Sequence, residues 1–277
     1  MQSLINWQLL HKRLSKKKTP ESEFLLNWDE FAEMYDGMIR LEARFSEQQV
    51  ACLPIEASDT VVDIGCGPGR LSVPLAHRAR QVTAVDAFPN MLARCMKNAK
   101  NAGVDNIKAL LQDWEAEDAL EQIGMHDIAI ASRSVGLADL KKLNKIARKY
   151  AIIIAFANAP SLKQIHFEFL EGMIPNAKRS KTTKDRAFSY NITYNMLYDM
   201  GAEPNVLILD DGFEAIYNTK QEAYDDLTFM GNIQQNVEHL FHQNIDKHLT
   251  ATEDNRWKLF CPTRSFVMWW KTSDIVE

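Results

Sequence analysis

Cysteine is scarce in this chain and never spaced for use. Cys52, Cys66, Cys95 and Cys261 are scattered over 277 residues with no C-x-x-C pair, which excludes zinc-ribbon and dithiol chemistry and suits reduced thiols in a cytoplasm. Long apolar runs are missing as well. Ala151 to Ala157 and Phe266 to Trp270 are strand-sized, far below the roughly 20 residues that span a bilayer, so no membrane partner is expected. The basic residues Lys12, Arg13, Lys16, Lys17 and Lys18 follow a short apolar stretch instead of preceding one, the reverse of a secretory signal, and the expected location is cytoplasmic. His239 and His242 stand beside Glu238, but neither His-Glu-x-x-His nor His-x-x-Glu-His occurs, and no metal is expected. A net charge of −5 argues against general attraction to nucleic acid. Two local basic clusters, 12–18 and Lys178, Arg179, Lys181, Lys184 and Arg186, remain as footholds for an acidic partner.

Repeats, low-complexity tracts and interdomain linkers are absent too. A composition 46% hydrophobic and 25% charged then points to a globular protein with a full core, large enough for one α/β domain with a cap. From residue 60 onward, short β-branched strands alternate with helical stretches, the signature of parallel βαβ units. Strands are expected at Thr60–Ile64, Gln81–Asp86, Asn106–Leu111, Asp127–Ser132 and Ala151–Phe156, with helices at about Arg70–Arg78, Pro89–Ala102 and Ala138–Tyr150. Leu162, Ile165, Phe169 and Ile174 predict an amphipathic helix, and Tyr190, Tyr194 and Tyr198 recur at helical spacing, most simply as a stripe packed on the sheet. Asp211-Gly212 reads as a hairpin turn between Val206–Asp210 and Phe213–Tyr217. Thr219 with Glu222 forms a capping box for a helix through about Met230; a further helix near Ile233 to Leu249 precedes a last strand from about Arg264 to Lys271.

The most specific feature is Asp63-Ile64-Gly65-Cys66-Gly67-Pro68-Gly69-Arg70, a strand end running through three alternating glycines into a helix. Glycine lets backbone N–H groups approach a ligand closely, and the crevice at the carboxyl end of such a strand is where open α/β sheets bind nucleotides. Asp86 closes the next strand about 20 residues on, the spacing at which an acid meets ribose hydroxyls. A dinucleotide fold would need a glycine where Arg70 stands, and Asp63 suits a cationic or zwitterionic ligand better than a pyrophosphate.

At these residues the chain resembles the class I S-adenosylmethionine (SAM) dependent methyltransferases of the small-molecule type. The resemblance implies a three-layer Rossmann-like α/β fold: a sheet of seven mostly parallel strands, one antiparallel, with helices on both faces and an N-terminal helical cap. It further implies SAM as cofactor, S-adenosylhomocysteine as product and no metal. Residues 1–50 are then the cap or lid, 51–277 the SAM-binding domain, and about 157–200 the segment that builds the acceptor pocket. Gly65, Cys66, Gly67 and Gly69 would cradle the methionyl part with Asp63 beside them, Asp86 would hold the ribose, and Ala87 and Met91 would flank the adenine. Asp113-Trp114 resembles the family's adenine-binding pair. Asn27 to Asp36 resembles the W-x-x-x-A-x-x-Y-D helix, whose tyrosine, here Tyr35, reaches the cofactor. Ser132 and Arg133 end the fourth strand, nearest the transferable methyl.

No Asn- or Asp-Pro-Pro-aromatic sequence stands there, which weakens methylation of exocyclic base amines. Arg133 could fork onto an anionic substrate or form a structural ion pair. His166 and Tyr190 are candidate acid/base helpers, and Cys261 is best read as a buried structural thiol. The leading reading is methyl transfer to a small molecule. RNA or protein acceptors recruited by the basic clusters, and a non-catalytic SAM-binding protein, are the alternatives; a homodimer is left open.

Overall fold

Val61-Val62, Val82 to Val85, Ile128 to Ala131 and Ala151 to Ile154 form near-continuous apolar runs, the pattern of strands covered on both faces. A computed structural model describes residues 5–15, 28–173, 189–231 and 233–275. In it these runs form five parallel strands, β1 (Thr60–Ile64), β2 (Gln81–Asp86), β3 (Ile107–Leu111), β4 (His126–Ser132) and β5 (Ala147–Phe156). Two long strands follow, β6 (Asn205–Tyr217) and β8 (Trp257–Lys271), with a short β7 (Leu249–Ala251) between them in sequence. The order is β3-β2-β1-β4-β5-β8-β6, with β8 antiparallel to both neighbours and β7 paired to β8 off this path. The expected seven-strand path is present, and β7 is an eighth strand that sequence reading did not anticipate.

Alternation along each strand divides the interior. Val61, Ala84, Ile130, Ile152 and Val267 face α3 (Ala43–Ala51), α4 (Ser72–Ala76) and α5 (Pro89–Asn101). Val62, Val85, Ala129, Ile153 and Trp270 face α6 (Ala119–Ile123), α7 (Leu140–Lys145) and α9 (Tyr190–Asp199). Tyr190 and Tyr194 pack on this second core, whereas Tyr198 is exposed. Pro89 opens α5 at its first turn and Gly103 follows its end with φ +70°, as their chemistry dictates.

Three expectations change. The helix expected to reach Tyr150 stops at Lys145, because Ala147, Ala151 and Ile153 are buried in the sheet core and β5 starts early to bury them. The helix expected at Ile233 to Leu249 is confined to α11 (Glu238–Asp246), and Leu249 pairs with Leu259 instead. Asp211-Gly212 is not a turn. It lies inside β6, opposite Thr263 and Pro262, and Gly212 is required because its φ is +151° and a Cβ there would stand 2.3 Å from the Cys261 carbonyl oxygen.

That uninterrupted ladder positions the site. β5 ends at Phe156 opposite Ser265, but β6 and β8 stay paired from Asp210–Arg264 to Tyr217–Trp257, reaching roughly 27 Å further at about 3.4 Å per residue. On this projection α8 (Leu162–Phe169), α10 (Lys220–Asp226), the 3₁₀ turn Leu227–Met230 and α11 build a third core around Phe169, Phe213, Leu227, Phe241 and Ile245. Ser161 and Gln164 close a reciprocal capping box on α8, and Thr219 caps α10 through the Glu222 N–H at 3.1 Å. The cap therefore stands over the carboxyl edge of the parallel strands. α1 (Trp7–Ser15) contacts α9, and α2 (Trp28–Leu41) lies between α5 and the cap. At Gly37 a Cβ would meet the Phe229 ring at 2.5 Å, so only glycine permits this crossing. Among the described residues no helix is long and apolar enough to cross a membrane. Lys16 to Lys18, Asn27 and the basic cluster 178–186 lie outside the described residues.

Because Gly212 is pressed on a backbone carbonyl, Gly212→Ala is expected to cost at least about 2 kcal/mol. The urea midpoint should fall with an unchanged denaturant slope. An unchanged midpoint would mean the ladder is free to turn at this point, as a hairpin would.

Candidate active site

The glycine turn is built at the end of β1. Gly65 and Cys66 both donate their N–H groups to the Val85 carbonyl, at 2.8 and 3.0 Å, which folds the chain back toward β2. All three glycines have positive φ, at +69°, +54° and +94°, yet they differ in what surrounds them. A Cβ on Gly65 would meet Ser134 Cβ at 2.6 Å, and one on Gly69 would meet Cys95 Sγ at 2.9 Å, so both serve close packing. Gly67 has nothing within 4 Å of that position and opens onto the crevice.

Asp86 is buried and holds the turn in this shape. Its Oδ2 accepts the Gly67 N–H at 2.9 Å and its Oδ1 the Phe88 N–H at 3.0 Å. Burial pushes its carboxyl above the ordinary range, with the hydrogen bonds from Gly67, Phe88 and Ala87 opposing the shift. A carboxylate oxygen has lone pairs for more than one donor, so both oxygens can still accept hydroxyl protons. Asp63 is 2% exposed and accepts the Ser72 hydroxyl at 2.7 Å. Burial lifts its pKa to about 6.

α2 is fastened over the same crevice. Asp36 accepts from Arg94 Nη1 at 2.9 Å and Asn98 Nδ2 at 2.6 Å, and the same Asn98 amide donates to the Pro68 carbonyl at 3.0 Å. Asp29 accepts the Asn90 N–H at 2.9 Å. Tyr35 is half-buried and meets the Trp28 ring edge-on at 5.1 Å. Its phenol is pushed up by burial first and then by the charge of Glu42, against Arg133. An open glycine, a buried carboxylate with spare acceptor capacity and a helix above them are a fitting cradle for an adenosyl group.

Residues 61–155 match the family described as "Methyltransferase domain". The chain carries a class I SAM-dependent methyltransferase domain. An uncharacterised protein of Haemophilus influenzae is 27% identical over 209 residues, 73% of this chain and 72% of that protein. The 23S rRNA (uracil(1939)-C(5))-methyltransferase RlmD of Edwardsiella ictaluri is 34% identical over 82 residues, which are 30% of this chain and only 18% of the relative. Among solved structures, a cyclopropane-fatty-acyl-phospholipid synthase-like protein from Lactobacillus casei is 13% identical, with 84% of this chain and 92% of that chain covered and a TM-score of 0.49.

The other residues singled out in the sequence of this methyltransferase separate into two groups. Met91 is buried beside the turn's helix, Ala87 is exposed, and Trp114 is a buried wall of the second core with Lys142 Nζ 4.8 Å from its ring centre. Asp113 is exposed and accepts the Glu115 N–H at 2.8 Å, a turn role that leaves its position at the end of β3 intact. His166 belongs to the cap, where its Nε2 bonds the Met230 carbonyl, and Tyr190 packs against Phe266 in the second core. Neither is brought to the glycine turn by a hydrogen bond or ion pair of the structure.

At Arg133 the structural ion pair prevails over the anion fork. Nη1 donates to Glu42 Oε2 at 2.6 Å, and Nη2 donates to Asp211 and, at 3.1 Å, to Ser265 Oγ. Burial opposes this charge, but Glu42 and Asp211 outweigh it and hold the guanidinium above its ordinary pKa. Arg70 lies in the same cluster, donating to Gln49 Oε1 at 2.8 Å and to the hydroxyls of Ser46 and Ser132. Burial and the charge of Arg133 bring its pKa down to about 10. Asp211 is fully buried and also accepts from Gln49, Ser265 and the Gly212 N–H. Sequence reading missed Glu42, Gln49, Asp211 and Ser265, since nothing local marks an acid on a helix or within a strand as a partner for a residue about 80 or 90 positions away.

Removing one partner of a buried pair strands the other. Asp211→Leu is therefore expected to cost about 3–5 kcal/mol, and the double change with Arg133→Met considerably less than the sum of the singles; additive losses in urea denaturation would refute the coupling. Asp63 gives a pH test. A carboxyl held at about 6 keeps its proton in the folded state after the unfolded chain has lost it, so stability falls as pH rises from about 4 to about 6. The contribution is at most about 3 kcal/mol, and Asp63→Asn should flatten that part of the profile.

Proposed function

We propose that the chain transfers the methyl group of SAM to a small-molecule acceptor. The single observation that carries the cofactor side is Gly67, open to the crevice at φ +54° while its N–H is bound to the buried Asp86 carboxylate. Asp86 would hold the ribose hydroxyls through charge-assisted hydrogen bonds. Gly65, Cys66, Gly67 and Gly69 would let the backbone approach the methionyl end with Asp63 beside it. Met91, Ala87 and the Asp113-Trp114 pair would enclose the adenine. When bound, SAM supplies an electrophilic methyl on sulfonium, displaced in line by the acceptor. The protein's part is to align the nucleophile and keep water out, for which α2, with Tyr35, serves as the lid and the β6/β8 cap as the opposite wall. In this reading residues 1–50 cap the site, and 157–200 contributes α8 and α9 to its surroundings.

The charge pattern supports a small acceptor. Around the crevice and cap the described cations are already matched: Arg94 with Asp36 at 2.9 Å, Arg40 with Asp226 at 2.8 Å, Lys258 with Glu214 at 3.3 Å and Lys220 with Asp246 at 3.0 Å. A phosphate backbone would need cations to spare. The local similarity to RlmD favours RNA as the second reading, with the cluster 178–186 as its anchor.

Asp86→Ala should abolish measurable SAM binding in calorimetry, a loss of at least about 100-fold for two charge-assisted hydrogen bonds. Unchanged affinity would remove Asp86 from the site. Labelled RNA should show no mobility shift at low salt, whereas binding that falls steeply with salt would replace the small acceptor by RNA.

A further inference from the structure

Four buried side-chain polar atoms among the described residues lack a hydrogen-bond partner: Arg133 Nε, Asn158 Oδ1, Ser189 Oγ and Glu214 Oε2. Glu214 Oε2 is balanced by Arg44 and Lys258, at 3.5 and 3.3 Å, and Ser189 lies in the second core's margin before α9. The other two are different. Arg133 follows β4 and Asn158 follows β5, adjacent parallel strands, both at their carboxyl ends. The Arg133 N–H is bound to the Ile154 carbonyl at 2.9 Å, and its guanidinium lies 4.2 Å from the ring centre of Phe156, two residues before Asn158. Both residues have φ +51°, uncommon for residues other than glycine. Such strain persists only when its surroundings impose it, and it gathers where ligands are held.

The two orphans are complementary. Arg133 Nε–H is a donor and Asn158 Oδ1 an acceptor, and leaving either unmade costs the desolvation of that group. Their electrostatic setting is as informative as their chemistry. The cationic charge of Arg133 is already met by Glu42 and Asp211, so an anionic group arriving beside it would also face those two buried carboxylates. An uncharged group that presents a lone pair and an adjacent X–H satisfies both orphans without adding charge.

We propose that Arg133 Nε and Asn158 Oδ1 form the polar part of the acceptor subsite, and that the acceptor is a neutral molecule read through a carboxamide-like edge. The C=O accepts from Arg133, the N–H donates to Asn158, and the Phe156 ring forms the apolar side of the same place. This inference rests on the SAM-site reading given above. Glu42, Asp211 and Ser265 act here as positioning residues, because they fix the guanidinium in the orientation that leaves Nε unbound.

The test uses the full chain saturated with S-adenosylhomocysteine and three probes with one ring: benzamide, benzoate and benzylamine, followed by saturation-transfer NMR. Benzamide should bind at least about tenfold more tightly than benzoate, in keeping with the value of one or two buried hydrogen bonds. Benzylamine, which offers a cation and no lone pair, should also be the weaker. Asn158→Gly removes the acceptor while tolerating the backbone angle, and should lose the benzamide signal with S-adenosylhomocysteine affinity within about twofold in calorimetry. Asn158→Asp keeps an acceptor oxygen and should retain benzamide while weakening benzoate further. Benzoate binding as tightly as benzamide, or benzamide binding that survives Asn158→Gly, would overturn the subsite. Failure of the wild-type chain to bind S-adenosylhomocysteine would instead overturn the cofactor reading beneath it.

Discussion

The fold turns on a buried charge cluster. Arg133 at the end of β4 is clamped by Glu42, which stands between α2 and α3, and by Asp211 within β6, while Arg70 from the glycine turn joins through Gln49, Ser46 and Ser132. Two guanidinium groups and two carboxylates thus tie the nucleotide turn, the N-terminal helices and the projecting ladder at one point. Taking such charges out of water is costly, and it is tolerated because each carboxylate and guanidinium gains several partners. Burial lifts Glu42's pKa although Arg133 and Arg70 pull it down, which is the signature of an ion kept charged by its partners rather than by solvent.

This clamp links architecture to chemistry. The β6/β8 ladder could project as a bare edge, yet Asp211 anchors it over the carboxyl ends of β4 and β5, and the third core around Phe213 and Phe241 stiffens it there. The same contact consumes the positive charge of Arg133. A residue that sequence reading offered as an anion fork thereby becomes part of a neutral wall, and the acceptor side of the site is left with one donor and one acceptor rather than a net charge.

How much was legible follows from the range of the interactions. The strands β1 and β2 coincide with the expected Thr60–Ile64 and Gln81–Asp86, because continuous β-branched runs bounded by glycine and proline specify buried parallel strands locally. Pro89, Gly103, Thr219 and Ser161 mark helix ends through their own backbone and side-chain chemistry. Asp211-Gly212 misled for the opposite reason. A glycine demanded by a carbonyl 2.3 Å from its absent Cβ looks, in one dimension, like a glycine demanded by a turn.

By itself the sequence determined the parallel sheet, the glycine turn with Asp63 and Asp86 on successive strands, and hence the class of domain, since all of these depend on residues near one another in the chain. Only the tertiary structure decided which glycine faces the crevice, that Arg133 is spent on Glu42 and Asp211, and that β6 runs straight through Gly212 into a cap. Those outcomes depend on what lies about 80 or 90 residues away in the chain but within a hydrogen bond's reach in space, and pairing at that range leaves no local mark.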